Sequence, residues 1–473
     1  MLKPRPLLLL LASFSLTTQA VTAETESHPP NVVLIMADDV SWEAFGAYGG
    51  EDYDTPNLDR LAAEGVRFAH AYSTPICTTS RVMLMTGKHN FRNYTHFGRL
   101  DPEEHTIGHL MQDAGYRTAI AGKWQLNGLY DPDKFEDALD HGRPLRAGFD
   151  EACLWQVTRH KQIKQGGGER FWSPPLEING KFVPAEEHAD QYGPDIMSDF
   201  LLDFITRNQN EPFFVYYPSN LVHDPFVPTP DTIGDAPRDQ SANTQSKDLA
   251  VQKTNFVAMV EYLDKIVGRF VHHLDDLGLL ENTIILFTAD NGTHPRITSN
   301  WQGRQIKGGK GGLTDMGTHV PMIAYWKGRT PAGAVIDDLV DFTDVYPTLA
   351  DISAQSIPAG NVVDGRSILP LLQGEPAAAK DWMLSHYQPY WGPDPGIFAR
   401  TTRFKLYGDD RLFDISRDLD EAHNLETKLT PDLRQIRDRL RQVIDQAPPV
   451  PEGNRSPPER PIHPNWPAID PTD

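Results

Sequence analysis

The chain has 473 residues and carries 44 lysines and arginines against 65 aspartates and glutamates, for a formal net charge of −21 at pH 7. Because so acidic a protein repels polyanions, nucleic acid is excluded as an expected partner. The length is sufficient for one large α/β domain and a smaller one, and two cysteines are too few for a disulfide framework.

The first 23 residues predict an export signal. Lys3 and Arg5 precede an apolar stretch at residues 7–16, and small residues follow it. This pattern is typical of a secretory signal peptide and is too short to span a bilayer. We therefore expect residues 1–23 to direct export to the periplasm or the extracellular space, and we expect no membrane anchor.

Two apolar runs, residues 31–36 and 283–288, each end in side chains that carry oxygen ligands. Runs of this kind predict buried strands, and the carboxyl ends of parallel strands meet at one edge of a sheet. The side chains that follow the two runs are Asp38, Asp39, Asp290 and Asn291. Such ligands suit Ca²⁺ or Mg²⁺, so the pattern favours a hard-cation site. The alternative is a solvated loop or a helix cap at each pair.

Cys77 lies at the predicted start of a helix, four residues before Arg81 and ahead of the apolar residues 82–85. A thiol and a guanidinium one turn apart at a helix N-terminus combine a nucleophile with an anion site. A buried structural cysteine would also explain the segment. A disulfide with Cys153 is a further alternative, and it would consume the thiol.

The other segments alternate between helices and strands. Thr55 and Pro56 predict the start of one helix, and Thr106 predicts the start of a second. Residues 246–280 predict one long amphipathic helix, and residues 341–352 predict another. The predicted strands are residues 117–121, which lead to Lys123, residues 212–217, which lead to His223, and residues 321–326. This alternation predicts an α/β fold with a large doubly wound, mostly parallel sheet and its chemistry at the carboxyl edge.

The predicted pattern of secondary structure changes after residue 375. Short strands at residues 382–387, 396–406 and 410–415, followed by a helix capped by Thr430, predict a smaller C-terminal antiparallel sheet plus helix subdomain. The prolines beyond residue 447 exclude a helix there. We therefore divide the chain into a signal peptide (1–23), a catalytic α/β domain (24–375), a C-terminal subdomain (376–446) and a Pro-rich extended tail (447–473).

Six short motifs give the chain a resemblance to the type I sulfatases, the formylglycine-dependent arylsulfatase family of the alkaline-phosphatase-like superfamily. In chain order they are Asp38-Asp39, Cys77 to Arg81, Gly122-Lys123-Trp124, Val222-His223-Asp224-Pro225, Asp290-Asn291-Gly292, and Gly309-Lys310-Gly311 leading to Val320-Pro321. In that family a formylglycine-generating enzyme oxidises the cysteine during export. The hydrate of the resulting aldehyde attacks the sulfur of a sulfate ester.

The resemblance implies a role for each motif. One Ca²⁺ would be held by Asp38, Asp39, Cys77 as formylglycine (3-oxoalanine), Asp290 and Asn291. Arg81 and Lys123 would orient the hydrate, and either His223 or Lys310 would protonate the departing alcohol. The catalytic residues would thus be Cys77, Arg81, Lys123, Gln125, His223 and Lys310.

The chain departs from the family pattern at two positions. Thr79 stands where the family usually has Pro or Ala, which bears on maturation of Cys77. Gln125 stands where many members have a His, and an amide cannot take up a proton. Gly-Lys-Trp-Gln-Leu resembles a subgroup of the family, which indicates a variant of the mechanism. His294 and His319 are candidate bases by their closeness in sequence to the motifs.

Three functions are compatible with this reading. The first is an exported sulfatase that acts on sulfate esters, with carbohydrate sulfates as the expected substrates. The second keeps the fold and hydrolyses phosphate or phosphonate esters. The third is a non-catalytic binder of sulfated glycans in which Cys77 stays a thiol. Sequence leaves the oligomeric state, the substrate and the position of its sulfate open.

Overall fold

The computed structural model describes residues 29–159, 169–238, 246–377, 380–390, 395–450, 464–467 and 469. The predicted signal peptide, residues 1–23, lies outside the described residues, and so does most of the predicted tail. Among the described residues, none of the helices combines the length and apolarity that a membrane crossing requires.

The strands of the described residues form three sheets. In chain order they are β1 (Asn31–Ala37), β2 (Val66–Tyr72), β3 (Arg117–Lys123), β4 (Glu151–Trp155), β5 (Leu176–Ile178), β6 (Lys181–Val183), β7 (Phe213–Pro218), β8 (Thr283–Ala289), β9 (Thr298–Trp301), β10 (Arg304–Lys307), β11 (Met322–Trp326), β12 (Ala334–Asp341), β13 (Met383–Tyr387), β14 (Gly396–Arg400), β15 (Phe404–Tyr407) and β16 (Leu412–Asp414).

The α-helices lie between these strands. They are α1 (Pro56–Glu64), α2 (Cys77–Thr86), α3 (Asn90–Asn93), α4 (Ile107–Asp113), α5 (Arg143–Arg146), α6 (Gly193–Arg207), α7 (Leu249–Asp276), α8 (Asp315–Thr318), α9 (Val345–Ile352), α10 (Leu369–Leu372) and α11 (Pro431–Gln446). Short 3₁₀ turns stand at Trp42–Ala44, Gly46–Tyr48, Pro132–Lys134, Ala185–His188, Leu280–Asn282, Phe342–Asp344 and Glu426–Lys428.

The large sheet has the strand order β12-β2-β11-β8-β1-β7-β3-β4-β5-β6. The central strands β8, β1, β7, β3 and β4 are all parallel, and the antiparallel pairs involve β11, β5 and β6. Every residue of β1 and β8 is buried, as expected of central parallel strands that are covered on both faces. The prediction of a large, mostly parallel α/β sheet is confirmed.

The register of the central strands fixes where the polar side chains emerge. Ala37, the last residue of β1, pairs with Ala289, the last residue of β8. Residues 38–39 and 290–291 therefore leave the sheet side by side, as the two apolar runs predicted. Lys123 ends β3, which is joined to β1 through β7 in parallel register, so it emerges at the same edge.

Several elements differ from the sequence-based prediction. Strands β4, β5 and β6 of the large sheet and helix α6 were not predicted. Strands β2 and β12, which pair in parallel at one end of the sheet, were not predicted, because both carry polar residues among the apolar ones. The predicted helix at residues 341–352 begins as a 3₁₀ turn before α9. Asp341 and Asp344 form a capping box there, which sets the entry into the helix.

The C-terminal part forms a separate antiparallel sheet in the order β13-β14-β15-β16, and α11 packs against β14 and β15. The segment 396–406, predicted as one strand, is two strands joined by a turn after Arg400. A buried ion pair between Arg400 and Asp315 of α8 ties this sheet to the rest of the protein. The domain boundary at residue 376 stays a prediction.

Candidate active site

Cys77 is the first residue of α2, and the helix is buried along its whole length. The turn that precedes it is braced by Ser80, whose Oγ donates to the Thr74 carbonyl and accepts from the Thr74 N–H, each at 3.0 Å. Ile76 stands at the N-cap and has no side-chain oxygen. The N–H groups of the first turn are therefore available to an anion near Cys77.

The Lys310 segment lies against the same turn. The Gly311 N–H donates to the Pro75 carbonyl at 2.8 Å, and the Lys310 N–H donates to the Thr293 carbonyl at 3.0 Å. These two bonds connect the loop before Cys77 with the loop after Asn291. The structure thus brings two distant sequence motifs to one place.

A first cluster joins the ends of β1, β3 and β8. Lys123 Nζ donates to both carboxylate oxygens of Asp38, at 3.1 and 2.8 Å. Arg81 Nε donates to Asp290 Oδ2 at 3.0 Å, and Arg81 Nη2 lies 3.8 Å from Asp38 Oδ2. All four side chains are buried. Two cations from different elements therefore face the two carboxylates in a site without bulk water.

A second cluster surrounds Asp39. Lys310 Nζ donates to Asp39 Oδ2 at 2.6 Å and lies 3.2 Å from His223 Nε2. Asn291 Nδ2 donates to Asp39 Oδ1 at 2.9 Å. His223 Nδ1 lies 2.7 Å from the carbonyl oxygen of Asp224. In the neutral ring, Nδ1–H donates a hydrogen bond to that oxygen. His223 Nε2 is then the acceptor for Lys310.

The electrostatics of the two clusters follow from burial and close charges. Although burial raises it, Lys123 and then His223 and Arg81 hold the pKa of Asp38 far below its ordinary value. Burial, with the neighbouring Asp38 charge, raises the pKa of Asp290 to about 7. Burial lowers the pKa of His223 below its usual range. Three buried carboxylates this close together create a demand for positive charge.

The donor set fits a hard divalent cation. Asn291 Oδ1 is buried and accepts no hydrogen bond, while the nitrogen of the same amide is fully used. Ligand atoms of Asp38, Asp39 and His223 lie within 4.8 Å of one another. Because His223 Nε2 faces Lys310, the free ligands are oxygens, which Ca²⁺ and Mg²⁺ prefer over softer metals.

Gln125 follows the end of β3 by two residues and adopts a positive φ of 53°. Its Nε2 donates to the Tyr130 hydroxyl at 2.5 Å and to Gln156 Oε1 at 2.7 Å. These two partners fix the amide. Tyr130 and Gln156 were missed by the sequence analysis, since both lie in segments without a recognisable motif.

The two candidate bases are placed differently. The His319 ring is stacked on Tyr72 at 4.9 Å and lies 5.2 Å from Trp42, and burial lowers its pKa to about 3. Its described contacts do not include the carboxylate clusters, so its proposed role as base is not supported by the structure. Burial also lowers the pKa of His294, on which the charges of Asp39, Asp224 and Lys310 act. His294 is therefore the candidate that lies near the site.

Neither cysteine is in a disulfide. Cys77 and Cys153 are both buried free thiols, and burial raises the pKa of Cys153 to about 12. The alternative of a bridge between them is not realised. Cys153 lies in β4 as an unreactive core residue, whereas Cys77 interacts electrostatically with Arg81 and Lys310.

Two family models match this chain. The model described as Sulfatase matches residues 30–354, and the model described as N-sulphoglucosamine sulphohydrolase, C-terminal, matches residues 310–448. Arylsulfatase A of Homo sapiens is 31% identical over 85% of this chain and 78% of its own length. N-acetylgalactosamine-6-sulfatase of Canis lupus familiaris is 30% identical over 76% of this chain and 69% of its own.

Solved structures share the fold across nearly the whole chain. Ps i-CgsB in complex with k-i-k-neocarrahexaose is 25% identical, with a TM-score of 0.70 over 94% of this chain and 96% of that one. The phosphonate monoester hydrolase of Agrobacterium radiobacter is 19% identical, with a TM-score of 0.62 over 88% and 94% of the two chains. The second likeness concerns the fold alone.

Proposed function

The chain belongs to the sulfatase family and is a sulfuric ester hydrolase, and from that premise we propose that it is an exported, calcium-dependent carbohydrate sulfatase whose nucleophile is formylglycine made from Cys77. The observation that carries the proposal is the arrangement around that residue. Three buried carboxylates, an unused amide oxygen and three cations lie together. They are tied to the start of α2, because Arg81 belongs to that helix and Gly311, next to Lys310, bonds to Pro75. A simple sulfate-binding surface would not need the carboxylates.

The site would be completed by the hydrated aldehyde at residue 77 and by one Ca²⁺. The aldehyde hydrate would offer one hydroxyl to attack sulfur and a second whose proton loss expels sulfate, and Ca²⁺ would neutralise charge on the transferring group. The residues that would hold the ion are Asp38, Asp39, Asp290 and Asn291, together with the modified residue 77.

Arg81 and Lys123 would act on the oxygen at position 77. Asp290 and Asp38 hold these cations in place through buried, charge-assisted hydrogen bonds. Since the cations are fixed before the reaction, no reorganisation is needed when negative charge develops. Their role would be to favour loss of the attacking hydroxyl's proton.

His223 and Lys310 would act on the opposite side, at the leaving oxygen. Although burial opposes it, Asp39 and then Cys77 raise the pKa of Lys310 above its ordinary value, so the amine stays charged. Its Nζ lies 3.2 Å from His223 Nε2, so the two side chains can exchange a proton. We assign delivery of a proton to the departing alcohol to this pair.

Substrate class and location are inferred from relatives and from the N-terminus. Two similar proteins are, by name, an N-acetylgalactosamine-6-sulfatase and a protein in complex with a neocarrahexaose. We infer a sulfated sugar as the substrate of this chain. Residues 1–23 support export, which also places Cys77 on the route where a formylglycine-generating enzyme acts.

The deciding experiment combines mass analysis with turnover. Protein from the native host is digested, and the peptide that contains Cys77 is expected to carry an aldehyde in place of the thiol. The same protein is expected to hydrolyse 4-nitrophenyl sulfate in preference to 4-nitrophenyl phosphate. An unmodified thiol in active protein contradicts the proposed nucleophile, and a preference for phosphate favours the phosphate ester hydrolase instead.

A further inference from the structure

Arg170 is a buried cation that forms no ion pair with any of the described residues. Its exposed fraction is 4%, and Nε and Nη1 are buried and donate no hydrogen bond. Taking a charge out of water without a partner is costly, and natural proteins seldom accept that cost outside a binding site. The position therefore calls for an explanation.

The other buried arginines of the described residues show the usual solution. Each of them has a carboxylate partner within 3.0 Å. The pairs are Arg81 with Asp290, Arg92 with Asp364, Arg99 with Asp137, Arg143 with Asp137, and Arg400 with Asp315. Arg170 forms no such pair with a described residue, and its guanidinium is therefore free to bind an anion.

Packing places Arg170 beside the active site. Its guanidinium lies over the Trp155 ring, 4.2 Å from the centroid. Trp155 is the register partner of Lys123, so this stack stands next to a proposed catalytic cation. The carbonyl of Arg170 accepts from Asn220 Nδ2 at 3.5 Å, and the carbonyl of Asn220 accepts from the His223 N–H at 3.1 Å. Arg170 thus lies between the end of β4 and the turn of His223.

Two acidic side chains on which the charge of Arg170 acts, those of Glu169 and Asp224, bind other groups. Glu169 Oε1 accepts from the backbone N–H of Arg170 at 2.9 Å and of Phe171 at 3.0 Å. Asp224 lies 3.0 Å from His223 Nδ1 and 3.1 Å from Arg296. Besides burial and Lys310, the charge of Arg170 contributes to the lowered pKa of His223. The charge of Arg170 also acts on Glu169 and Asp224, yet Arg170 forms no ion pair with either of them.

Gln156 carries a second unused donor. Gln156 follows Trp155, and its Nε2 is buried and donates no hydrogen bond, while its Oε1 accepts from Gln125. A planar guanidinium with free N–H groups, beside an amide with free N–H groups, matches the oxygens of a sulfate or a carboxylate.

We propose that Arg170 is a specificity residue that binds a second anionic group of the substrate, a sulfate or a carboxylate carried beside the ester that is cleaved. This inference rests on the proposed function and narrows its substrate class to sugars with two or more anionic groups. Arg170 would position the substrate, and the groups around Cys77 would carry out the chemistry.

Three aryl esters test the proposal: 4-nitrophenyl sulfate, its 2-carboxy derivative and its 2-sulfo derivative. We compare kcat/KM for the three esters in the wild type and in Arg170→Gln. The variant is expected to lose about 10- to 100-fold more kcat/KM on the dianionic esters than on the first, mainly through KM. Equal losses on all three esters would overturn the proposal. The two derivatives separate a carboxylate from a sulfonate as the preferred second anion.

Matched variants exclude a general effect of removing an arginine. Arg329 is exposed and lies over Trp326, 5.7 Å from the ring centroid, so Arg329→Gln removes a similar stack elsewhere. It is expected to leave the ratio between the esters unchanged. Arg170→Lys keeps the charge and is expected to retain part of the preference. A preference lost equally in Arg170→Lys and Arg329→Gln contradicts a specific role for Arg170.

Binding measurements keep the test independent of catalysis and of the folding of the variant. Calorimetry on the wild type is expected to show tighter binding of benzene-1,2-disulfonate than of benzenesulfonate. Equal affinities would overturn the second anion site. If the wild type hydrolyses none of the three esters, the proposed function fails, and the two sulfonates still decide the role of Arg170.

Discussion

Lys123 Nζ lies 2.8 Å from Asp38 Oδ2, and both side chains are completely buried. Such a pair adds little to stability, because removing two charges from water costs about as much as their attraction returns. Its position at the ends of β3 and β1 is better explained by function. The pair holds a cation where the proposed nucleophile and the sulfate would meet.

Lys123→Met should reduce turnover, and it should also destabilise the protein, because Asp38 then loses the cation that compensates its buried charge. Loss of one preorganised cation is expected to lower kcat about 100- to 1,000-fold. We would measure kcat on 4-nitrophenyl sulfate together with the melting temperature. The control is Lys265→Met, which removes a half-exposed ion pair with Asp231 and should leave kcat unchanged. Normal kcat in Lys123→Met would remove this residue from the site.

Asp290→Asn should abolish the effect of calcium on the melting temperature, and it should also abolish turnover. The variant keeps the shape of the side chain but removes one carboxylate, which weakens a site that depends on negative oxygen ligands. In the wild type, added Ca²⁺ is expected to raise the melting temperature and a chelator to abolish turnover. Asp290→Asn should show neither a calcium-dependent shift nor turnover.

A calcium control comes from the exposed acid Asp231. Asp231→Asn should keep the full calcium-dependent shift, since this carboxylate pairs with Lys265 at the surface. Wild-type turnover that survives exhaustive chelation would contradict the proposed ion.

Thr79→Pro should raise the active fraction in a foreign host. Thr79 is the third residue of α2, and the first backbone bond of the helix comes from the Ser80 N–H to the Ile76 carbonyl at 3.2 Å. Proline is tolerated in this first turn because its missing N–H has no helical partner there. The variant does lose the bond from Thr79 Oγ1 to the Ile76 carbonyl at 2.9 Å.

Mass analysis of the Cys77 peptide measures this effect directly. The matured fraction is expected to rise in Thr79→Pro, while kcat per matured molecule stays the same. Cys77→Ala is the blank and should bind substrate without turning it over. A matured fraction that is equal in wild type and Thr79→Pro would show that Thr79 does not limit maturation.

Asp315→Asn should destabilise the contact between the large sheet and the C-terminal sheet. Arg400 Nη1 donates to both Asp315 oxygens at 2.8 Å, and Lys405 Nζ lies 3.5 Å from Oδ1, all of them buried. Removing the carboxylate leaves Arg400 buried without its carboxylate partner, which costs about 3–5 kcal/mol. Lys405 keeps its ion pair with Glu421 at 2.8 Å. Denaturant unfolding would measure the loss, and Asp231→Asn again serves as the exposed control.

The stabilisation that the Asp315–Arg400 pair provides should depend on pH. Although burial raises it, Arg400 and then Lys405 hold the pKa of Asp315 below its ordinary value of 3.8. A group whose pKa is lower in the folded state stabilises the protein fully above its unfolded pKa and loses that effect as pH falls. The difference in unfolding free energy between wild type and Asp315→Asn should shrink below pH 3.8. A difference that grows on acidification would contradict this assignment.

Local pattern was enough to predict the frame of the site. Residues 32–36 and 284–287 are apolar throughout. Such runs predict burial on both faces of a parallel sheet, and the register of β1 with β8 confirms it. The start of α2 at Cys77 could likewise be predicted, because an apolar run follows it. The two buried strands and the start of α2 can be predicted because each depends mainly on residues that are close together in the sequence.

Tertiary structure alone decided which charges meet. Lys123 and Asp38 are 85 residues apart, and their contact depends on β7 lying between β1 and β3. Arg170 gave no signal in the sequence, since its lack of a carboxylate partner is a property of packing. His319 was a candidate base by its position in the chain, yet its ring stacks on Tyr72 and lies against Trp42. Strand order and side-chain packing are set by the free energy of the whole core, and no local window of residues contains that information.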